Sequence, residues 1–251
     1  MSRSAYAYRP KEKTGDALIQ QELLALVEQY KRRGFWKLYA MLRQAGFRWN
    51  NKRVYRVYCA LKLNLRKRPK KRLPSREKVA LVVPQAMNSC WSLDYISDAL
   101  MNGRRFRTAN VLDDCNREGL GIRAGFSLPS ERVTEFLDEI AERRGYPDCL
   151  RVDNGPENIS SVMMNWAKNH GVRIHHIQPG KPAQNAYIER FNRTYREEIL
   201  DMHLFHSIND VQAITDEWLV QYNGVRPHES LGNLTPWGFS EKLSMSTERV
   251  Y

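Results

Sequence analysis

Three carboxylates lie on separate stretches of this 251-residue chain: Asp94 in WSLDYISDAL, Asp153 in RVDNGPEN and Glu189 in KPAQNAYIERFNRTYREEIL. Thirty-five residues separate the last two. Acids drawn from distant parts of a chain can hold two divalent cations, the arrangement that cuts and rejoins a phosphodiester. Mg²⁺ suits such a site because it is hard, keeps waters and needs only a few carboxylates plus substrate phosphates.

In the strand candidate around Asp94, Trp91, Leu93 and Tyr95 alternate onto one face and Ser92, Asp94 and Ile96 onto the other. An aspartate there is costly to bury unless paired, protonated or metal-bound. A hydrogen-bonded structural aspartate is the competing reading. Asp98 shares the face nearer the strand end and ranks second. Asp153 falls at the carboxyl end of a strand whose inner residues are Leu150 and Val152, and Asn154-Gly155 then turns the chain. Sites of open α/β sheets gather at such ends. Glu157, close by, is the reserve candidate.

On the helix that follows, Ile188, Phe191, Tyr195 and Ile199 form a core stripe. Glu189, Arg193 and Arg196 form a second ridge about 120° from it. One ridge thus carries a carboxylate followed by two guanidiniums suited to phosphate. Taken alone, it reads as an exposed Glu–Arg pair worth about 0.2–0.5 kcal/mol. Joined to Asp94 and Asp153, it reads as part of a site. Lys181, Gln184 and Asn185 in QPGKPAQN lead into that helix and are candidates for DNA-backbone contact. Asp113 and Asp114 are adjacent, so on a strand they point apart, which weakens a shared metal role.

The elements that must position these residues follow from periodicity. Strands are expected at Ser89–Ser97, Arg105–Asp113 and Gly121–Leu128, with connections short enough for an antiparallel meander. Helix Ser130–Arg144 follows, with Ser130 as N-cap, then strand Cys149–Asp153, helix Ser161–His170 and strand Val172–Ile177. Helices Asn185–Leu200 and Asn209–Asn223 complete an α/β body over residues 88–240, with residues 241–251 as a tail. Ahead of it, residues 1–12 lack periodicity and read as a disordered tail. Three helices are expected within 13–65: Asp16 to Arg33, Phe35 to Gln44, and a third capped by Asn50 or Asn51 and running to about Leu63. On the third, Val54, Val57, Tyr58 and Leu61 face inward while Lys52, Arg53 and Arg56 face outward, as in a helix-turn-helix that meets DNA. A basic linker spans 66–87, with Pro69 and Pro74 breaking any helix in its basic run 66–78.

Charge supports that division. Residues 1–87 carry 22 Lys/Arg and 5 Asp/Glu, a net of +17, while residues 88–251 carry 18 and 23, a net of −5. Such asymmetry suggests a nucleic-acid-binding arm joined to a body whose acids serve another purpose. The four cysteines are scattered without a CxxC pair, arguing for a reducing compartment and against a structural zinc site. With no apolar run long enough for a membrane span or a signal peptide, the expectation is a soluble cytoplasmic protein.

WSLDYISDALMNGRRFRTANVLDD, RVDNGPE, IQPGKPAQNAYIERFN and YNGVRPHESLGNLTP together resemble the integrase-core transposases of bacterial insertion sequences, specifically the second-frame product of the insertion sequence 3 family. GFWKLYAMLRQAGFRWNNKRVYRVY extends the likeness to that family's helix-turn-helix-like segment. The resemblance implies a ribonuclease H-like catalytic core of the retroviral integrase superfamily. It implies a DDE triad of Asp94, Asp153 and Glu189, two Mg²⁺ ions with Mn²⁺ able to substitute, hydrolysis at the element's 3′ end, and transfer of the freed hydroxyl to another phosphodiester. Its implied partners are transposon-end DNA, target DNA, further copies of the chain on DNA, and the first-frame product by fusion or association. Two departures stand out: Asn158 where the family usually has Phe after DNGPE, and Cys115-Asn116 after the Asp pair. The HHCC zinc-binding pattern of retroviral integrases is absent from the sequence.

Overall fold

The computed structural model describes residues 16–65, 84–178 and 185–248. The chain divides into two compact units, residues 1–71 and 72–251. In the first, α1 (Asp16–Gln29), α2 (Phe35–Gln44) and α3 (Asn51–Ala60) enclose Ile19, Leu23, Leu38, Leu42, Val54, Val57 and Tyr58. Asn50 caps α3 by accepting the Lys52 amide proton at 2.9 Å. The helix stops at Ala60, short of Leu63, because Lys62 turns left-handed at φ 56°. The Tyr58 hydroxyl then secures the turn by donating to the Leu63 carbonyl at 2.6 Å. The segment read as a disordered tail and the basic run 66–78 lie outside the described residues.

The second unit is a five-stranded sheet with helices on both faces. Its elements are β1 (Trp91–Ala99), β2 (Arg105–Asp113), β3 (Gly119–Gly125), α4 (Ser130–Arg144), β4 (Cys149–Val152), α5 (Ser161–Asn169), β5 (Arg173–His176), α6 (Ala186–Tyr195), α7 (Ile208–Gly224) and α8 (Pro236–Glu248). Strand order is β3-β2-β1-β4-β5. The first three strands form the expected antiparallel meander, and β4 and β5 run parallel to β1. This is the ribonuclease H-like order.

Alternation along β1 sends Trp91 and Leu93 into a core with α4 and α5, built on Val133, Leu137, Ile140 and Trp166. Ile96 enters the opposite core with Ile188, Phe191 and Tyr195 of α6 and Val211 and Trp218 of α7. Each large apolar side chain buried in this way contributes about 1.5–3 kcal/mol. Asp94, of the same parity as Ile96, therefore faces α6.

Two local expectations are corrected. Pro129, not Ser130, is the N-cap of α4, and the Ser130 hydroxyl donates instead to the Glu157 carbonyl at 2.9 Å. Helix α8 crosses the boundary drawn at 240 and runs well into the segment read as a tail. No helix among the described residues is long and apolar enough to cross a membrane.

Candidate active site

The parallel ladder between β1 and β4 pairs Trp91 with Leu150 and Ser92 with Arg151. Continued by two residues, that register sets Asp94 opposite Asp153, which directly follows β4. The ladder itself ends at Ser92 and Arg151, but the Asp153 charge acts on the Asp94 carboxyl, so the two lie within electrostatic reach of each other. Glu189 comes from the helix packed on the same face. Asn192, one turn further along α6, donates its Nδ2 proton to Asp94 Oδ2 at 2.8 Å. Residues three apart on a helix share a face, so Glu189 stands one turn from the side chain that touches Asp94.

The three charges share one field. Burial pushes the Asp94 carboxyl from 3.8 up to about 6, and the negative charges of Asp153 and Glu189 add to the rise. The Tyr95 backbone amide and the Asn192 side chain act the other way. Asp94 is half-buried, whereas Asp153 and Glu189 are exposed. Among the described residues no lysine, arginine or histidine forms an ion pair with any of the three.

Asparagines hold the two aspartates. Asn192 is itself oriented by Asn110, whose Nδ2 donates to Asn192 Oδ1 at 2.7 Å, and Asn110 is the cross-strand partner of Asp94. Asp153 Oδ1 accepts from the Gly155 amide at 3.0 Å and from Asn158 Nδ2 at 2.7 Å. Sequence reasoning missed these brackets. Asn192, three residues after Glu189, carried a signal in its helical phase; Asn110 carried none until the register was known.

The chemistry of this donor set suits a hard cation: three carboxylates, all oxygen ligands, unneutralised by any described base, with the charges of Asp153 and Glu189 raising the cost of charge on Asp94. As placed, no group of three acids, histidines or cysteines among the described residues could hold a metal ion, so the chain supplies no ready-made cage. A Mg²⁺ ion does not need one, since water and substrate phosphate supply the remaining oxygens.

The other candidates are placed as follows. Asp98, second choice, takes Arg196 at 3.3 Å, so that guanidinium is engaged within the fold and also donates to the Ser97 carbonyl at 2.8 Å. Glu157, the reserve, is bound to Arg107 at 2.6 Å. Asp113 accepts from the Asn88 and Cys115 amides, and Asp114 from the Ser92 hydroxyl and Arg151, so the pair indeed serves separate partners. Arg193 is exposed. Asn185 is only 6 % exposed, which turns it away from any surface contact as placed. Lys181 and Gln184 lie outside the described residues. In the helical unit Lys52 is exposed, while Arg53 and Arg56 both grip Asp16, at 2.9 and 2.6 Å.

Residues 84–182 and 170–236 match models of the integrase core domain, and residues 14–72 match an HTH-like domain. The insertion element IS407 protein of Burkholderia multivorans is 37 % identical over 242 residues, covering 96 % of this chain and 87 % of that protein. The chain belongs to the insertion-element transposase family built on an integrase core. The IS476 protein of Xanthomonas euvesicatoria is another such relative, 36 % identical over 96 % of this chain and 69 % of its own length. Transposase InsD of element IS2D from Escherichia coli is 26 % identical and covers 81 % of this chain and 71 % of its own. Among solved structures, a simian T-cell lymphotropic virus intasome matches with a TM-score of 0.52, covering 86 % of this chain and 73 % of that one. At 14 % identity that likeness shows the fold alone. In this transposase the HTH-like match spans α1 to α3, and the integrase-core matches span the sheet and α6.

Proposed function

We propose that this transposase cleaves insertion-element DNA ends and joins them to another phosphodiester, using Asp94, Asp153 and Glu189 to hold two Mg²⁺ ions. The observation that supports this reading best is the register that sets Asp94 opposite Asp153 beneath the helix bearing Glu189. Bound there, the ions would supply Lewis-acid activation of the attacking oxygen and stabilisation of the leaving one. The chain's own residues do the rest. Asn192 keeps one Asp94 oxygen directed and lowers the cost of its charge. The Gly155 amide and Asn158 fix one oxygen of Asp153. Exposure of Asp153 and Glu189 leaves the site open to a duplex, and exposed Arg193 on the Glu189 ridge is available to a phosphate.

Lys52, Arg53 and Arg56 are the DNA-facing set of the helical unit in this reading, and Lys181, Gln184 and Arg196 are additional DNA contacts. Exposed ion pairs are weak, so a phosphate can draw Arg53 and Arg56 from Asp16. Association with the first-frame product, and with further copies on DNA, completes the proposal. The test is a precut terminal-repeat duplex incubated with Mg²⁺ and a target. Joined product that disappears in Asp153→Asn, with DNA binding retained, supports transfer. Hydrolysis without joined product replaces the transposase reading with that of a nuclease.

A further inference from the structure

We infer that Asn158 is a positioning residue whose buried amide fixes Asp153 relative to Asp94 by bonding both Asp153 and the tyrosine beside Asp94. This rests on the reading of Asp153 as a cation ligand. Asn158 is 0 % exposed. Its Nδ2 donates to Asp153 Oδ1 at 2.7 Å, and its Oδ1 accepts from the Tyr95 hydroxyl at 3.3 Å. Tyr95 neighbours Asp94 on β1 and, by alternation, points to the opposite face. The path Asp94–Tyr95–Asn158–Asp153 therefore ties the central strand to the loop after β4 through one planar group.

The orientation of that group is determined by its neighbours. Turned over, the amide would set its oxygen against the Asp153 carboxylate and lose that bond, while the Tyr95 hydroxyl could still accept from its NH₂, so the carboxylate decides the orientation. The loop cannot slide easily beneath the amide. Hydroxyls of Ser130 and Ser160 donate to the Glu157 carbonyl at 2.9 and 3.1 Å, and Arg107 holds the Glu157 carboxylate at 2.6 Å. A phenylalanine, the residue that the resemblance leads one to expect here, would fill volume but donate nothing. In this chain the carboxylate is set by a directed bond, and buried directed bonds to ligating carboxylates tune cation affinity.

The test is a calorimetric titration of the full chain with Mn²⁺ alone, beside thermal unfolding in EDTA. Asn158→Leu should weaken Mn²⁺ binding by about tenfold to a hundredfold. Tyr95→Phe removes only the neutral end of the brace and should weaken it by about twofold to tenfold, with its unfolding midpoint in EDTA close to wild type. Asp153→Asn is the control on the underlying reading. If it keeps wild-type affinity, Asp153 is not a ligand and the proposed active site is wrong. If it loses affinity while Asn158→Leu keeps it, the active site stands and the role of Asn158 is overturned. Wild-type affinity in Tyr95→Phe overturns the two-ended brace, and this variant decides alone should Asn158→Leu fail to fold.

Discussion

Asp94→Asn replaces a half-buried carboxylate with a neutral group of the same shape, and its largest effect should be on stability without cation. The folded chain holds the Asp94 proton with a pKa of about 6 against an ordinary value of 3.8. Two units correspond to about 3 kcal/mol, an upper figure because neighbours relax. The folded state binds the proton more tightly than the unfolded state. The group's favourable contribution is therefore complete below pH of about 4, declines as pH rises, and is gone above about 6. In the variant an amide oxygen can still accept the Asn192 proton, which sits 2.8 Å from Asp94 Oδ2 in wild type. Cation-free Asp94→Asn should thus exceed wild type by up to about 3 kcal/mol at pH 7.5 and converge with it near pH 4. Urea unfolding of the core transition in EDTA, at several pH values, measures the gap. If Asp94 is a cation ligand, as proposed, added Mg²⁺ should raise the stability of wild type more than that of the variant. Equal stability at pH 7.5, or a gap that does not change with pH, would refute the electrostatic account of the site.

Three further outcomes follow from the packing and the charge distribution. A Cβ added at Gly119 would lie 2.5 Å from Leu219 Cδ1 on α7 and 2.8 Å from Phe191 Cε2 on α6, the helix that bears Glu189. Gly119→Ala should cost about 1–3 kcal/mol in thermal unfolding, since the strand is also pinned there by Asn223 on its own N–H and carbonyl. An unchanged midpoint would mean that α6 and α7 are not fixed against β3. Arg226, 5 % exposed, pairs with Glu198, which also accepts the Trp218 indole proton at 3.0 Å. Arg226→Met should destabilise the core by about 3 kcal/mol, checked by urea titration, and a loss under about 1 kcal/mol would show the pair to be unimportant. Removing residues 1–87, with their net +17, should lower DNA affinity and flatten its dependence on salt; an unchanged slope assigns the phosphate contacts to the core instead.

Much of the fold was legible because it depends on period. Strand β2 and helix α4 have the bounds read from alternation and helical spacing, and the core stripe Ile188, Phe191, Tyr195 and Ile199 is buried throughout. Local signals were weaker where two partners competed for one group. Ser130 looked like a cap, yet its hydroxyl is taken by the Glu157 carbonyl across the sheet. Helix α8 went unread because its Pro-Trp-Gly start gives little periodic signal. It is held from outside: Trp237 Nε1 donates to Glu118 Oε1 at 3.1 Å, and Ser240 accepts from Asn116 at 2.7 Å.

The sequence alone nominated Asp94, Asp153 and Glu189, through their residue types, their strand and helix phase and the motifs around them. It also determined that the positive charge belongs to the helical unit. Tertiary structure decided what each charge faces. Arg53, Arg56 and Arg196, all read as phosphate ligands, spend their guanidiniums on Asp16 and Asp98 in the folded chain. An aspartate on β1 and another just past the end of β4 came within electrostatic reach, with buried asparagines directing one oxygen of each. Periodicity is a property of the nearby chain and can be read from it. Side-chain partners depend on strand register and on contacts between distant positions, 98 apart for Asp94 and Asn192 and 124 apart for Asn116 and Ser240, and only the closed fold fixes those.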